Sequence, residues 1–230
     1  MTRTTAPQTT ITTVTMKASQ FRDLVTPVMP LADQTEWNLP VLNAVSIEAH
    51  GDYLIATATD RYRLGVQRVK MAEDVSGFAA LVSIRSLRSI LSIFKATRKS
   101  DPLLSITSAE GVLLVKTVGG LDVDAGFMTG SMTWALVDGQ YPKVREIIMK
   151  ASITEAAGPL LLNPSLLAAF AAAQKHGEPM TMRGATGSVT FVQIGPDFIG
   201  AIMSVRPSEA EKLDADWTTF LAPAKTEVAA

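Results

Sequence analysis

The chain has 230 residues, 47% of them hydrophobic, enough to bury a sizeable core as one large domain or two small ones. Lys and Arg number 21 against 22 Asp and Glu, a net charge of −1, so no overall basic excess points to nucleic acid, although a local patch can still bind it. With no cysteine, disulfides, thiolate metal sites and a cysteine nucleophile are excluded. The opening MTRTTAPQTTITTVTM lacks the apolar centre of a signal peptide, and no run approaches the roughly 18 apolar residues of a membrane span, so a soluble cytoplasmic protein without membrane contact is expected.

In chain order, residues 10–16 (TITTVTM) read as a strand. Residues 17–29 follow as a helix cut short by Pro27 and Pro30. VLNAVSIEAH (41–50) and YLIATATD (53–60) are two strands joined like a hairpin, and YRLGVQRVKM (62–71) is a third with apolar alternation. The pattern restarts with the strand FAALVS (78–83) and a helix over 84–99 that puts Ile84, Leu87, Leu91 and Phe94 on one face. LLSITS (103–108) and VLLVKTV (112–118) make another hairpin, and 121–139 continue as a glycine-interrupted strand region. A connector spans 140–158. PLLLN (159–163) is a strand, Asn163 and Pro164 open a helix over 165–177, Gly177 closes it, and 179–206 supply three more strands.

The same β-α-β-β-β order thus recurs three times, without recurrence of residue identity. The fold class expected is α+β, with helices on one face of antiparallel sheets. The other reading is an ordinary α+β protein whose elements happen to alternate. The expected boundaries are a tail over 1–9, a domain of two units over 10–149, a third unit over 150–206, and a tail over 207–230 of net charge −3 that is interrupted by WTTFLAP.

Three segments carry a resemblance. Residues 42–66 (LNAVSIEAHGDYLIATATDRYRLGV) contain Ala-Thr-Asp, two further residues, then Arg63-Leu64. WALVDGQYPKVREIIM (134–149) and AIMSVR (201–206) follow in order. Together they resemble the bacterial DNA sliding clamp family, the beta subunit of DNA polymerase III. A clamp of that family has six such units per chain and this chain shows three, so it looks like a reduced member, of bacterial or viral origin. The resemblance implies a surface groove that accepts short peptide motifs of the DNA polymerase and the clamp loader. It would be lined by Leu42, Thr59, Arg61, Tyr62, Arg63, Leu64, Met149, Met203, Ser204, Val205 and Arg206. Leucines, valine and methionines suit apolar anchors, and arginines suit peptide carbonyls or an acidic residue. Tyr62, Met149 and Ser204 depart from the usual family residues. Without the resemblance, Leu42, Leu64 and Val205 are plain core and the arginines a solvated turn.

The resemblance also implies that helices face duplex DNA without reading its sequence. The helix over 84–99 offers a stripe of Arg88, Lys95 and Lys99 with Arg85 beside it, whereas the other helices offer only Lys17 and Arg22, or Lys175. A solvated charged face is the alternative. No residues for catalysis, a metal or a cofactor stand out. His50 and His176 lack partners at ligand spacing, and Asp122 and Asp124 read as solvent-facing strand residues. A non-enzymatic clamp is therefore expected, the rival being a clamp-like module that forms no ring and captures peptides, and a remoter one a small enzyme on a clamp-like scaffold. A closed clamp of the family has 12 units, so three per chain imply a homo-oligomer, a tetramer ahead of a trimer.

Overall fold

Two half-units exchange their first strands. In the computed structural model, which describes residues 11–35, 39–118, 130–150, 160–185 and 189–205, the first half-unit consists of β1 (Thr12–Lys17), helix α1 (Ala18–Val25), β2 (Ala44–His50), β3 (Tyr53–Thr59) and β4 (Arg63–Lys70). The second repeats the order with β5 (Ala79–Ser83), α2 (Ile84–Ile93), β6 (Leu103–Ala109), β7 (Val112–Val118) and β8 (Ser131–Ala135). β1 pairs with β6 and β5 pairs with β2, both antiparallel. One sheet therefore runs β1-β6-β7-β8, and the other begins β5-β2-β3-β4. Each half lends a strand to the sheet of the other, which ties the two into one core. Phe21, Leu24, Leu54, Leu87, Leu104 and Leu113 are all buried in it. Burying each such side chain contributes roughly 1.5–3 kcal/mol.

The third unit adds to this frame. After α3 (Val144–Lys150) come α4 (Pro164–Ala168), a 3-10 segment (Ala169–Ala173), β9 (Met180–Ala185), β10 (Val189–Ile194) and β11 (Phe198–Met203). β11 pairs antiparallel with β4, so the second sheet extends to seven strands, β5-β2-β3-β4-β11-β10-β9. The α+β architecture with antiparallel sheets is thus the observed one.

Two glycines let the new strand close on the old. Gly200 lies opposite Gly65 in the register. A Cβ on Gly200 would stand 2.4 Å from the Phe170 ring and 2.9 Å from the Leu64 carbonyl oxygen. One on Gly65 would stand 2.2 Å from Leu31. With no side chains there, Phe170 and Phe198 meet edge to face, 6.1 Å apart at 76°, beneath the strands. Polar contacts add to the seam. Arg68 donates to the Asp197 carboxylate (3.1 Å) and to the Pro196 carbonyl (3.1 Å), and the amide of Met203 donates to the Tyr62 carbonyl (2.8 Å).

Several elements differ from the sequence reading. The helix expected over 84–99 stops at Ile93. Phe94 turns inward to stack on Trp134 (6.3 Å), and the Thr97 hydroxyl oxygen accepts from the amides of Lys99 and Ser100, which offers the backbone an alternative to the helix. The helix expected over 165–177 is a short α turn followed by 3-10 turns to Ala173, because the Glu178 carboxylate accepts from the amides of Lys175 and His176 and closes the end. The His176 amide, Glu178's own amide and the Lys175 amide together hold the Glu178 pKa below its ordinary value. Residues 160–163 form no strand. In the first two units the leading strand pairs with the second strand of the other unit, and the third has no such partner among the described residues. Its single strand-like bond runs from the Val205 amide to the Leu161 carbonyl (2.7 Å). Conversely, the connector contains α3, stabilised by Glu146 pairing with Lys143 and Lys150. Asp122, Asp124, the 207–230 tail and residues 1–9 lie outside the described residues.

Candidate functional site

Along β4, β10 and β11 the side chains alternate between the two faces of the sheet. Gly65, Gln67, Thr190, Val192, Phe198, Gly200 and Ile202 are buried toward the core. Leu64, Val66, Val189, Phe191 and Ala201 form a second, smaller cluster on the opposite face, together with Tyr141, Val144 and Ile148 of the α3 segment. Because α3 covers only part of that face, a cavity of about 360 Å³ remains between α3, the 60–62 turn and the last strands. That size lies within the range of about 300–1,000 Å³ typical of ligand pockets.

The turn that forms its rim is locked. Asp60 accepts hydrogen bonds from the amides of Tyr62 (3.0 Å) and Arg63 (2.9 Å), and its other oxygen accepts from Arg63 Nε (2.8 Å). The Thr59 hydroxyl donates to the Arg63 carbonyl (2.8 Å). These bonds hold Arg61 at φ +81°, a left-handed conformation that a branched or long side chain rarely adopts. As a result Tyr62 projects outward, 58% exposed, opposite Met203 at 48% and Ile147 at 54%. Three large apolar side chains half in solvent around an apolar floor are the arrangement of a surface that receives something.

Of the residues singled out from sequence, Leu42, Thr59, Arg61, Tyr62, Arg63, Leu64 and Met203 line this cavity. Three others stand elsewhere. Met149, 84% exposed, faces a separate polar depression of about 450 Å³ with Glu48, Arg145 and Glu146, because it falls on the far side of α3 from Val144 and Ile148. The Ser204 hydroxyl lies 3.0 Å from that of Thr190, and Val205 bonds Leu161, so both serve the seam. Arg206 lies outside the described residues. Arg63 has a different part from the one expected. Its guanidinium is bonded to Asp60 and to the Leu166 carbonyl (3.1 Å), so it braces the turn against α4 and has little left to offer a ligand. Arg61 has no hydrogen bond or ion pair from its guanidinium among the described residues.

The sequence reading missed Pro142, Val144, Ile147, Ile148, Val189, Phe191, Ala201 and Ile202. A signal is present for three of them: Val144, Ile147 and Ile148 fall at i, i+3 and i+4 just after a proline, a helix start. Tyr141 separates the cavity from the polar depression. Its hydroxyl is buried with no hydrogen-bond partner among the described residues, and burial pushes its pKa well above the ordinary phenol value, only partly offset by the nearby Thr59 backbone.

The basic residues are more dispersed than a helix stripe. Arg85 and Arg88 sit on α2, but Lys95 and Lys99 lie beyond its end, so their expected helical spacing from Arg88 does not hold. Arg88 donates to Gln34 (3.0 Å), Arg22 pairs with Asp23 (3.1 Å), and Lys175 reaches the other Asp23 oxygen (3.4 Å) from the loop past the 3-10 turns. Lys17 is exposed at the start of α1, and Arg85, Lys95 and Lys99 are exposed with no ion pair among the described residues. Among those residues no group of three or more His, Cys, Asp or Glu is placed to hold a metal ion, and no helix is long and apolar enough to cross a membrane.

Comparison with known proteins gives concordant matches. The family model of the DNA polymerase III beta subunit, central domain, matches residues 15–143. The beta sliding clamp of Micrococcus luteus is 28% identical over 144 residues, which cover 62% of this chain and 42% of the relative. The beta sliding clamp homolog GriR of Streptomyces muensis is 26% identical over 135 residues, 59% of this chain and 33% of the relative. The chain therefore matches less than half the length of these relatives. The solved structure of the DNA polymerase III beta subunit from Thermotoga maritima superposes with a TM-score of 0.67 over 89% of this chain and 68% of that one, at 13% identity, a likeness of fold.

Proposed function

The chain belongs to the DNA polymerase III beta subunit family, and from that premise we propose that it works as a sliding-clamp-like tether whose groove at the β4–β11 seam captures short peptides of a polymerase or clamp loader. Such a tether performs no chemistry; it holds its partner near DNA and so raises the local concentration of the partner there. The observation that carries the reading is the groove itself, an apolar floor of Leu64, Val144, Ile148 and Ala201 beside a locked turn that holds Tyr62 and Arg61 outward. Leucine or phenylalanine anchors fit the floor, and an acidic residue fits Arg61.

The test is binding of a labelled peptide, Gly-Leu-Asp-Leu-Phe-Gly, by fluorescence anisotropy. Leu64→Asp and Met203→Asp each place an unpaired charge on the apolar wall and are expected to weaken binding at least tenfold while circular dichroism stays that of the parent. Unchanged affinity in both folded variants would remove the groove from the account.

DNA contact through the exposed Lys17, Arg85, Lys95 and Lys99 is part of the same reading, weaker because Arg22, Arg88 and Lys175 are already engaged. Reversing Arg85, Lys95 and Lys99 to glutamate is expected to reduce stimulation of a polymerase on primed duplex at low salt, with the difference fading at high salt. Equal stimulation at low salt would leave these residues a solvated face.

A second reading is a clamp-like module that captures peptides without encircling DNA. One observation favours it: residues 160–163 form no strand and β9 is a sheet edge without a partner among the described residues, so the third unit lacks the reciprocal exchange that completes the first two. Sedimentation separates the readings. A homo-oligomer, tetramer or trimer, supports the ring, and a monomer at micromolar concentration supports the module.

A further inference from the structure

We infer that the groove is occupied, in the isolated protein, by the protein's own C-terminal segment around Trp217, Phe220 and Leu221. This rests on the groove reading above and adds how the site is regulated: a partner's peptide must displace the tail to bind.

Three observations meet here. The first is where the tail leaves. β11 runs directly into it, and Met203, the last residue of β11, lines the groove and bonds the backbone of Tyr62. The tail therefore starts at the rim of the cavity. The second is reach. Eleven residues, 206–216, separate Val205, whose amide is held by the Leu161 carbonyl, from Trp217. A flexible chain of that length spans about 18 Å on average, and extended it covers about 38 Å. A tether too short to turn back, or so long that the ends rarely meet, would forbid the contact, and this one is neither. The third is chemistry. The groove has an apolar floor, an exposed Tyr62 and an arginine, Arg61, whose guanidinium makes no hydrogen bond or close ion pair among the described residues, although its charge reaches Asp33. Residues 207–216 bring Glu209, Glu211, Asp214 and Asp216 against a single lysine, and immediately after them come the apolar anchors Trp217, Phe220 and Leu221.

A tethered segment competes at a local concentration near ~1 mM for a short flexible link. If its affinity for the groove is on the order of 0.1 mM, an external peptide sees a site about tenfold weaker than the open groove. The occupant is the tail of the same chain, because the tether makes that encounter independent of protein concentration.

The experiment uses the full chain and the full chain carrying W217A, F220A and L221A, with Gly-Leu-Asp-Leu-Phe-Gly as the probe over a range of protein concentrations. The triple variant is expected to bind the probe several-fold to tenfold more tightly than the parent, with a ratio that does not change with protein concentration. Equal binding by both proteins would overturn self-occupancy and leave the groove reading intact. Binding by neither would overturn the groove reading and this inference with it. A ratio that grows with concentration, together with dimers in sedimentation, would show the tail seated on a second copy and overturn the intramolecular contact.

Discussion

β4 and β8 hold the same place in their half-units, each the last of three antiparallel strands after a helix, yet among the described residues it is β4 that lines the apolar groove. β4 is joined by β11 and carries buried Leu64 on its outer face. β8 ends its sheet among the described residues, and on it Met132 is 43% exposed. The sequence difference is small and physical. Gly65 sits mid-strand in β4 and, opposite Gly200, admits a neighbouring backbone with Phe170 and Phe198 beneath it. β8 has no glycine and uses Trp134 to reach inward onto Phe94. The groove is therefore a property of the junction between the first and third units, and a half-unit alone does not make one.

The sharpest way to break this contrast is Gly200→Val. The new side chain meets the Phe170 ring and the Leu64 carbonyl, and overpacking of this kind typically costs about 1–3 kcal/mol. Thermal unfolding should fall by several degrees, and affinity for the leucine/phenylalanine peptide by tenfold or more. Thr133→Val on β8, exposed in the same kind of strand, should change neither.

Arg63→Ala comes next. Arg63 and Asp60 are both nearly buried, with side chains 12% and 13% exposed, and the arginine also ties the turn to Leu166. Its loss should cost roughly 1–3 kcal/mol by leaving Asp60 short of a partner, and should weaken peptide binding several-fold because Tyr62 loses its fixed position. Denaturant midpoint and anisotropy check the two effects separately. An Arg63 that contacted the peptide directly would instead lower affinity with stability unchanged.

The smallest expected effect is at Tyr141. Its hydroxyl is buried without a partner among the described residues, so Tyr141→Phe removes a desolvated group and no bond seen there. Stability should rise or stay within about 1 kcal/mol of the parent, measured by chemical denaturation. A clear loss would mean that the hydroxyl is bonded to the Thr59 backbone after all.

Much of the site was legible in the chain. The Asp60-to-Leu64 turn and Met203 carry specific chemistry at short range, and the resemblance fixed which strand they would meet. What stayed hidden depends on the seam. Val189, Phe191 and Ala201 read as ordinary strand residues, and nothing local says that their face stays uncovered while the opposite face packs on Phe170. The α3 helix is hard to see in sequence because its seven residues follow Pro142 in a stretch that reads as a connector, although Val144, Ile147 and Ile148 keep helical spacing. The basic stripe failed for the opposite reason. Its spacing was correct for a helix, but burying Phe94 against Trp134 ended α2 before Lys95. Tertiary packing overrode local pattern in both places.

The central claim is that peptide capture belongs to the β4–β11 junction and not to its counterpart at β8. The most direct measurement is a titration of the isotope-labelled W217A/F220A/L221A chain with Gly-Leu-Asp-Leu-Phe-Gly, following backbone amide shifts residue by residue. The account predicts saturable shifts at Tyr62, Leu64, Ile148, Ala201 and Met203, with β7 and β8 unmoved. Shifts confined to β8 and its neighbours, or no saturable shifts at any excess of peptide, would contradict it.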